Sequence, residues 1–113
     1  MTNAASSQAK RIRELNDAFR RTFVGGAVVV TAGVAALPVE QRVSLLAKVR
    51  AFAAFTSDND PHGEHDFGLV ELGGVRCFWK IDYYDREMET LSPDPTDPSA
   101  TTRVLTVMLA EEY

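Results

Sequence analysis

The chain has 113 residues, of which 45% are hydrophobic and 25% are charged, values typical of one globular domain rather than a disordered or fibrous protein. Its net charge of −4 is unevenly distributed, because residues 1–50 carry eight basic and three acidic side chains whereas residues 51–113 carry four and thirteen. The single cysteine excludes an internal disulfide, no apolar run reaches the roughly 20 residues of a membrane helix, and the polar N-terminus does not resemble a signal peptide. We therefore expect one cytoplasmic domain over residues 1–113, with residues 1–6 frayed.

A first helix and a first strand are predicted before residue 32. Three apolar side chains recur at helical spacing within a helix over residues 7–21: Ile12, Leu15 and Phe19. The pair Gly25-Gly26 should end this helix, because glycine readily adopts the left-handed backbone that follows one. The next run, residues 27–31, is apolar and β-branched and predicts a short strand.

A second helix is predicted over residues 38–54. Proline suits the first turn of a helix, where Pro38 stands, and Glu40 complements the positive end of the helix dipole. Five apolar side chains form one stripe along this segment, and Leu45 and Phe52 widen it: Val39, Val43, Leu46, Val49 and Ala53. The stripe indicates that the helix packs against a sheet, and the turn-forming residues 56–61 should end it.

A β-hairpin over residues 66–83 is the clearest structural signal in the chain. Two β-rich stretches flank Gly73-Gly74, and such a two-residue turn fixes the register of the strands. The register places three pairs on one face, which we expect to be the core face: Val70–Cys77, Leu72–Val75 and Gly68–Trp79. On the other face Glu71 lies opposite Arg76, as cross-strand charge pairing prefers, and His65 lies opposite Asp82.

The C-terminal region is predicted to form a third helix over residues 98–111. Asp97 followed by Pro98 resembles a helix N-cap followed by a proline in the first turn. Residues 101–108 are also prone to form a strand, so a C-terminal strand is the alternative. The predicted class is α+β, with about three helices packed on a small, mainly antiparallel sheet that contains the central hairpin. The second and third helices should cover the Trp79 face.

Three distinctive stretches stand out: NDPHGEHDFG at residues 59–68, WKIDYYD at 79–85 and TRVLT at 102–106. On these motifs the chain, from about Ile12 to Tyr113, resembles a family of small bacterial proteins classed only as a domain of unknown function. The resemblance implies a bacterial, cytoplasmic protein encoded on a plasmid or another mobile element, and it assigns no catalytic residue. This genomic association makes inhibition of a host restriction or CRISPR system a hypothesis, by analogy alone.

The densest set of possible metal ligands lies in the first stretch, at His62, Glu64 and His65. Two imidazoles and a carboxylate suit Zn²⁺, Mn²⁺ or Fe²⁺. The spacing matches no established zinc motif, however, and a turn leading into a strand need not bring the rings together. The sequence therefore favours a structural loop and no metal or cofactor. A metal-dependent hydrolase centred on these residues and Asp82, with the His65–Asp82 pair as an oriented base, is the alternative function.

Acidic side chains cluster at and after the end of the hairpin, and they predict a partner-binding surface. They are Asp82, Asp85, Glu87, Glu89 and Asp94. A compact acidic surface can occupy the phosphate-binding groove of a nucleic-acid-binding protein. The favoured function is therefore a non-catalytic protein-interaction module, in its most specific form an anti-CRISPR or anti-restriction inhibitor. The competing interpretation is that these charges only keep the chain soluble.

Basic side chains on the first helix suggest a third function, the binding of nucleic acid. They are Lys10, Arg11, Arg13, Arg20 and Arg21. Such charges can contact phosphates, but the acidic isoelectric point of about 5.1 and the lack of a helix-turn-helix pattern disfavour this function. We therefore expect a protein partner rather than direct contact with nucleic acid.

Overall fold

A computed structural model describes residues 4–113 of the chain. The helices in this range are α1 (Ala4–Thr22), α2 (Ala32–Ala35) and α3 (Val39–Ala51). The strands are β1 (Gly26–Val30), β2 (Phe67–Leu72), β3 (Val75–Tyr84) and β4 (Thr102–Leu109). The frayed segment expected over residues 1–6 lies largely outside the described range, and α1 already begins at Ala4. None of the helices between residues 4 and 113 is both long and apolar enough to span a bilayer.

The four strands form one mixed sheet in the order β1-β4-β3-β2. Strand β1 runs parallel to β4, whereas the other neighbouring strands are antiparallel. Helix α3 packs on β2 and against α1, and α2 contacts β1 and β4. The predicted α+β class, with a mainly antiparallel sheet and about three helices, is therefore confirmed.

The core lies between one face of the sheet and helices α1 and α3. Alternate residues of the two central strands turn towards the helices and are almost completely buried: Cys77, Trp79, Ile81, Leu105 and Val107. Phe19 of α1 and Leu45 and Val49 of α3 belong to the same apolar cluster. Burial of these side chains is the main stabilising contribution, because the free energy of burial scales with the apolar area removed from water.

The predicted register of the hairpin is confirmed for the six pairs from Phe67–Lys80 to Leu72–Val75. Gly68 pairs with Trp79, and Glu71 pairs with Arg76 across the two strands. The two charged side chains form an exposed ion pair of 3.7 Å, and the core face is the one that carries Trp79. The glycine turn at 73–74 has positive φ at both positions, which explains why glycine stands there.

The predicted helix over residues 98–111 is wrong, and the alternative strand over 101–108 is correct. Asp97 does accept a hydrogen bond from the Ser99 amide, as an N-cap would, but the helical geometry ends after one 3-10 turn at Pro98–Ala100. Strand β4 follows in the interior of the sheet, between β1 and β3, and is buried on both faces. Such a strand has no alternation of polar and apolar residues, so its apolar run resembled the stripe of a helix.

The core face of the second helix also differs from the predicted stripe. Of the predicted residues only Val49 is buried, whereas Val39 and Val43 are 62% and 56% exposed. The buried line runs through Val49 and through Leu45, which was predicted only to widen the stripe, and the helix ends at Ala51, three residues early. A broad apolar surface on this segment left the direction of its core face undetermined by periodicity alone.

Helix α1, not a C-terminal helix, covers the Trp79 face together with α3. Phe19 and Arg20 of α1 are completely or almost completely buried there, and the Arg20 guanidinium lies 5.2 Å from the Trp79 ring centroid. The first helix was therefore predicted over the correct residues, but its packing partner was not foreseen. Its buried arginine is a charged residue on a face that is otherwise apolar.

We expect Gly68→Ala to lower the free energy of unfolding by about 2 kcal/mol, because overpacking a buried site forces neighbouring side chains to move. A β-carbon at position 68 would lie 2.5 Å from the Trp79 indole nitrogen, and Trp79 is fully buried. Urea unfolding measures the change. The control is Leu69→Ala on the solvent-facing side of the same strand, and an equal loss in both variants would contradict the explanation.

Candidate functional site

A cluster of buried polar side chains lies where the three distinctive stretches of sequence meet helix α1. We call it the α1 polar cluster, and its members are Asn16, Asp17 and Arg20 on α1, Asp60, Glu64 and His65 before β2, Tyr83 on β3 and Arg103 on β4. The cluster joins four parts of the chain that are distant in sequence. It is the largest set of ionisable side chains that the fold brings together in the described range.

Asn16 links three of these parts. Its side-chain amide donates hydrogen bonds to the Glu64 carbonyl at 3.0 Å and to the Tyr83 hydroxyl at 2.8 Å. Its carbonyl oxygen accepts a hydrogen bond from Arg103 Nε at 2.8 Å. The Tyr83 hydroxyl in turn donates to Glu64 Oε1 at 2.8 Å. Asn16 is fully buried, so both ends of its amide require partners, and this arrangement provides them.

Asp17 balances the buried charge of Arg20. Asp17 Oδ1 lies 2.9 Å from both Arg20 Nη1 and His65 Nδ1. The remaining surface of the guanidinium is covered by the Phe52 carbonyl at 3.1 Å and by the rings of Phe55 and Trp79. Burial alone would raise the pKa of Asp17, but the hydrogen bonds and charges of His65 and Arg20 outweigh it and lower that pKa.

The loop before β2 turns His65 inward. Gly63 and His65 both have positive φ, and Asp60 Oδ1 accepts a hydrogen bond from the His65 amide at 3.2 Å. The imidazole then stacks on Phe55, with the ring centroids 3.7 Å apart and the planes at 4°. Its Nε2 lies 3.6 Å from Asp60 Oδ2. Both ring nitrogens therefore face carboxylates of the protein itself.

The predicted pairing of His65 with Asp82 is wrong. Regular pairing of β2 with β3 stops at Phe67, because the positive φ of His65 turns the chain away from the neighbouring strand. Asp82 lies on the opposite face of β3, where Lys80 Nζ contacts Asp82 Oδ2 at 2.8 Å. The oriented base of the hydrolase hypothesis would have to use Asp17 instead.

The three candidate metal ligands do not converge. The His62 side chain is exposed, Glu64 accepts the Tyr83 hydroxyl and His65 contacts Asp17. Across residues 4–113 no group of three or more histidine, cysteine, aspartate or glutamate side chains is placed to hold a metal ion. Cys77 is buried in the core, and burial raises the pKa of its thiol.

The basic residues of α1 have separate roles rather than one shared surface. Arg20 is buried in the core, and Arg13 donates a hydrogen bond to the Gly63 carbonyl at 2.9 Å. Arg11 and Arg21 lie 4.0 and 3.9 Å from Glu14 and Asp17, and Lys10 is exposed. Two of the five cations of the nucleic-acid hypothesis therefore stabilise the loop and the core.

The acidic surface divides into carboxylates that shape loops and carboxylates that face solvent freely. Asp85 accepts hydrogen bonds from the amides of Glu89 and Thr90 and from the Thr90 hydroxyl, which lower its pKa. Asp94 similarly accepts the amide and hydroxyl of Thr96.

Two other acidic side chains are fully available to a partner. Glu87 and Glu89 are exposed on the turn that Asp85 organises. Asp82 lies where this turn meets the sheet and already contacts Lys80.

The second face of the sheet, opposite the core, is a surface to which the sequence analysis assigned no function. Its residues alternate with the buried ones, and most of them are partly exposed: Ala27, Val29, Phe67, Leu69, Phe78, Lys80, Asp82, Tyr84, Thr102 and Thr106. We call it the open face. Phe67 stacks on Phe78 with centroids 5.2 Å apart, and Tyr113 contacts both rings. The alternation within β3 was a usable signal for it.

Asn16 and Arg20 were detectable by the same kind of argument. Asn16 lies four residues after Ile12 and three before Phe19, which places it on the apolar stripe of α1. Arg20 lies four residues further along the same stripe. Polar residues at such positions signal a buried hydrogen-bond network. Their partners in the loop and on β3 and β4 carried no comparable signal.

Comparison with known proteins assigns the family. A family model described as "Protein of unknown function (DUF3768)" matches residues 30–112, well over half of the chain. The chain belongs to this DUF3768 family. The match begins at residue 30, whereas the resemblance noted from the sequence began at about Ile12. Helix α1, which carries three residues of the polar cluster, therefore lies before the matched part. No curated protein and no solved structure shows significant similarity to the chain.

For this DUF3768 member we expect Asp17→Asn to lower the free energy of unfolding by about 3 kcal/mol at pH 7, because it leaves the Arg20 guanidinium buried without a counter-ion. A lowered folded-state pKa stabilises the fold above the ordinary value near 3.8, and the stabilisation is lost as pH falls through the folded value. The difference between wild type and variant should therefore shrink in acid. Urea titrations between pH 7 and pH 3 measure it.

The control is Asp66→Asn, for which we expect the opposite sign. Burial and the neighbouring Glu64 raise the pKa of Asp66, so its ionised form opposes folding at neutral pH. Asp66→Asn should therefore increase stability at pH 7. A loss of stability in both variants would contradict the electrostatic assignment.

Proposed function

We propose that this chain is a non-catalytic protein-interaction module that binds its partner through the acidic turn after β3 and the adjoining part of the open face. The observation that carries the proposal is the contrast between the two sides of the molecule. The ionisable groups of the α1 polar cluster are engaged with one another inside the fold, whereas Glu87 and Glu89 are exposed on the turn after β3, where Met88 and Leu91 are exposed as well.

The acidic turn is suited to binding because it is organised in advance. Asp85 holds the backbone of residues 88–90 through its carboxylate, and the Asp85 amide donates to the Thr90 carbonyl at 2.9 Å. A turn with fixed backbone loses less conformational entropy when a partner binds. Because the pKa of Asp85 is lowered, the turn also keeps this charge as the pH falls towards mildly acidic values.

The chemistry of this surface favours a partner with a cationic groove. Carboxylates held at a fixed spacing can take the positions of phosphates and exclude nucleic acid from such a groove. Together with the resemblance to a family frequent on plasmids, this supports an inhibitor of a nucleic-acid-binding host defence protein of the restriction or CRISPR type as the specific form of the proposal.

The hydrolase alternative has less support, because His62, Glu64 and His65 are directed to different partners and Asp82 lies on the other face of β3. Direct nucleic-acid binding through α1 has less support too, because Arg20 is buried and Arg13 is bound to the loop. The protein-interaction proposal uses only side chains that are exposed.

We expect the double variant Glu87→Gln/Glu89→Gln to lose its partner while its thermal unfolding midpoint stays unchanged, because neither carboxylate has a structural contact in the described range. Native mass spectrometry of the untagged chain isolated from its own host measures retained partners and any bound metal. A short DNA duplex added to the complex should displace the chain.

The matched control is Glu14→Gln/Glu40→Gln, which removes the same charge from exposed positions on α1 and α3. The proposal is overturned if the turn variant retains the partner as well as the control does. A bare chain carrying one divalent metal would instead favour the hydrolase, and direct binding of the duplex by the free chain would favour a nucleic-acid binder.

A further inference from the structure

Strand β1 is an edge of the sheet and lacks the features that usually prevent an edge from pairing. Its five residues, Gly26–Val30, contain no charge, no proline and no bulge. It lies within the longest uncharged stretch of the chain, the 18 residues from Thr22 to Val39. The opposite edge, β2, carries Glu71 paired with Arg76 and is contacted by α3. Natural proteins protect edges with charges of this kind.

The backbone groups that β1 leaves free follow from its register with β4. The Thr31 amide donates to the Val107 carbonyl at 3.0 Å, and Val29 is the partner of Thr106. In a parallel pair every second residue is directed to the neighbouring strand, so Ala27 and Val29 bond to β4. The N–H and C=O groups of Gly26, Val28 and Val30, which we call the outward residues, are therefore directed away from the sheet. No backbone carbonyl in residues 4–113 is seen to accept a hydrogen bond from these N–H groups.

We propose that β1 pairs antiparallel with β1 of a second copy of the chain and joins two sheets into one of eight strands. The outward residues are symmetric about Val28, which is what a two-fold axis requires. Val28 would exchange two hydrogen bonds with its counterpart, and Gly26 would exchange two with Val30 of the partner subunit. On the order of six hydrogen bonds would then satisfy every outward backbone group.

The distribution of charge makes this edge the place where two copies repel one another least. Two copies each carrying −4 repel one another, and association is least opposed where the approaching surfaces are uncharged. The stretch from Thr22 to Val39 offers such a surface, whereas the acidic turn does not. Val29 is 45% exposed and Ala27 is exposed, so pairing also removes apolar side chains from water. This interface is separate from the acidic turn, so an experiment that overturns one of the two proposals leaves the other standing.

The register makes a prediction about side chains. With the axis at Val28, Ala27 lies opposite Val29 of the partner subunit in a non-hydrogen-bonded pair, where side chains are closest. The double variant Ala27→Lys/Val29→Lys places lysine opposite lysine twice and should weaken the dimer roughly tenfold or more. The matched variant Ala27→Lys/Val29→Glu places lysine opposite glutamate twice and should restore dimerisation. Sedimentation equilibrium measures both dissociation constants.

Two further measurements distinguish a disrupted interface from a disrupted fold. Val28→Pro removes an outward N–H and part of a side chain that packs on the core, so it should give a folded monomer with a slightly lower unfolding midpoint. Val29→Pro removes a bond to β4 and should lower the midpoint more. In the wild-type dimer, hydrogen exchange should find the amides of Val28 and Val30 as protected as that of Val29. The proposal is overturned if the wild type is monomeric at its highest soluble concentration, if both charge variants dimerise equally, or if the outward amides become protected only on binding a different protein.

Discussion

The burial of the Arg20 guanidinium between α1 and the sheet is the constraint on which the rest of the structure depends. A buried cation costs several kcal/mol unless a counter-charge and hydrogen bonds accompany it, so Asp17 must be ionised beside it. His65 then contacts the same carboxylate and Asp60 turns the loop that carries it. Arg13 and Asn16 of α1 bind the Gly63 and Glu64 carbonyls of the same segment, so several residues of this helix together fix the loop before β2. One donor of this network, Arg20 Nε, is buried without a hydrogen-bond partner among residues 4–113, so the guanidinium depends all the more on Asp17 and the Phe52 carbonyl.

Because the side chains of the α1 polar cluster bind one another inside the fold, they are not available for contacts on the surface. The motif with the two histidines contains possible metal ligands, yet its Glu64 and His65 join the loop to α1 and β3. The chemistry left to solvent consists of carboxylates on a rigid turn, an aromatic sheet face and an uncharged strand edge. These are the features on which the proposed interaction function rests.

The candidate site was only partly predictable, and the reason is the distance in sequence between its parts. The acidic residues were identified from composition, but only the structure separates Asp85, which shapes the turn, from Glu87 and Glu89, which are free. The motif around His65 was identified as a structural loop, but its expected partner, Asp82, was wrong. A register extrapolated from a hairpin turn holds only while the backbone stays extended, and the positive φ of His65 ends it.

The sequence by itself determined the elements whose cause is local. The Gly73-Gly74 turn, the alternation of the hairpin and the charge pair at its end specify the register of β2 and β3 without reference to other parts of the chain. Tertiary structure decided two features that depend on the position of a segment in the fold. Residues 101–108 form a strand because the sheet has an interior position that buries both faces of β4, and the core direction of α3 depends on where β2 lies. Periodicity records how a segment is buried only when burial is one-sided, and for β4 it is not. In α3 burial is one-sided, but apolar residues also lie on its exposed side, so periodicity alone does not fix the core face.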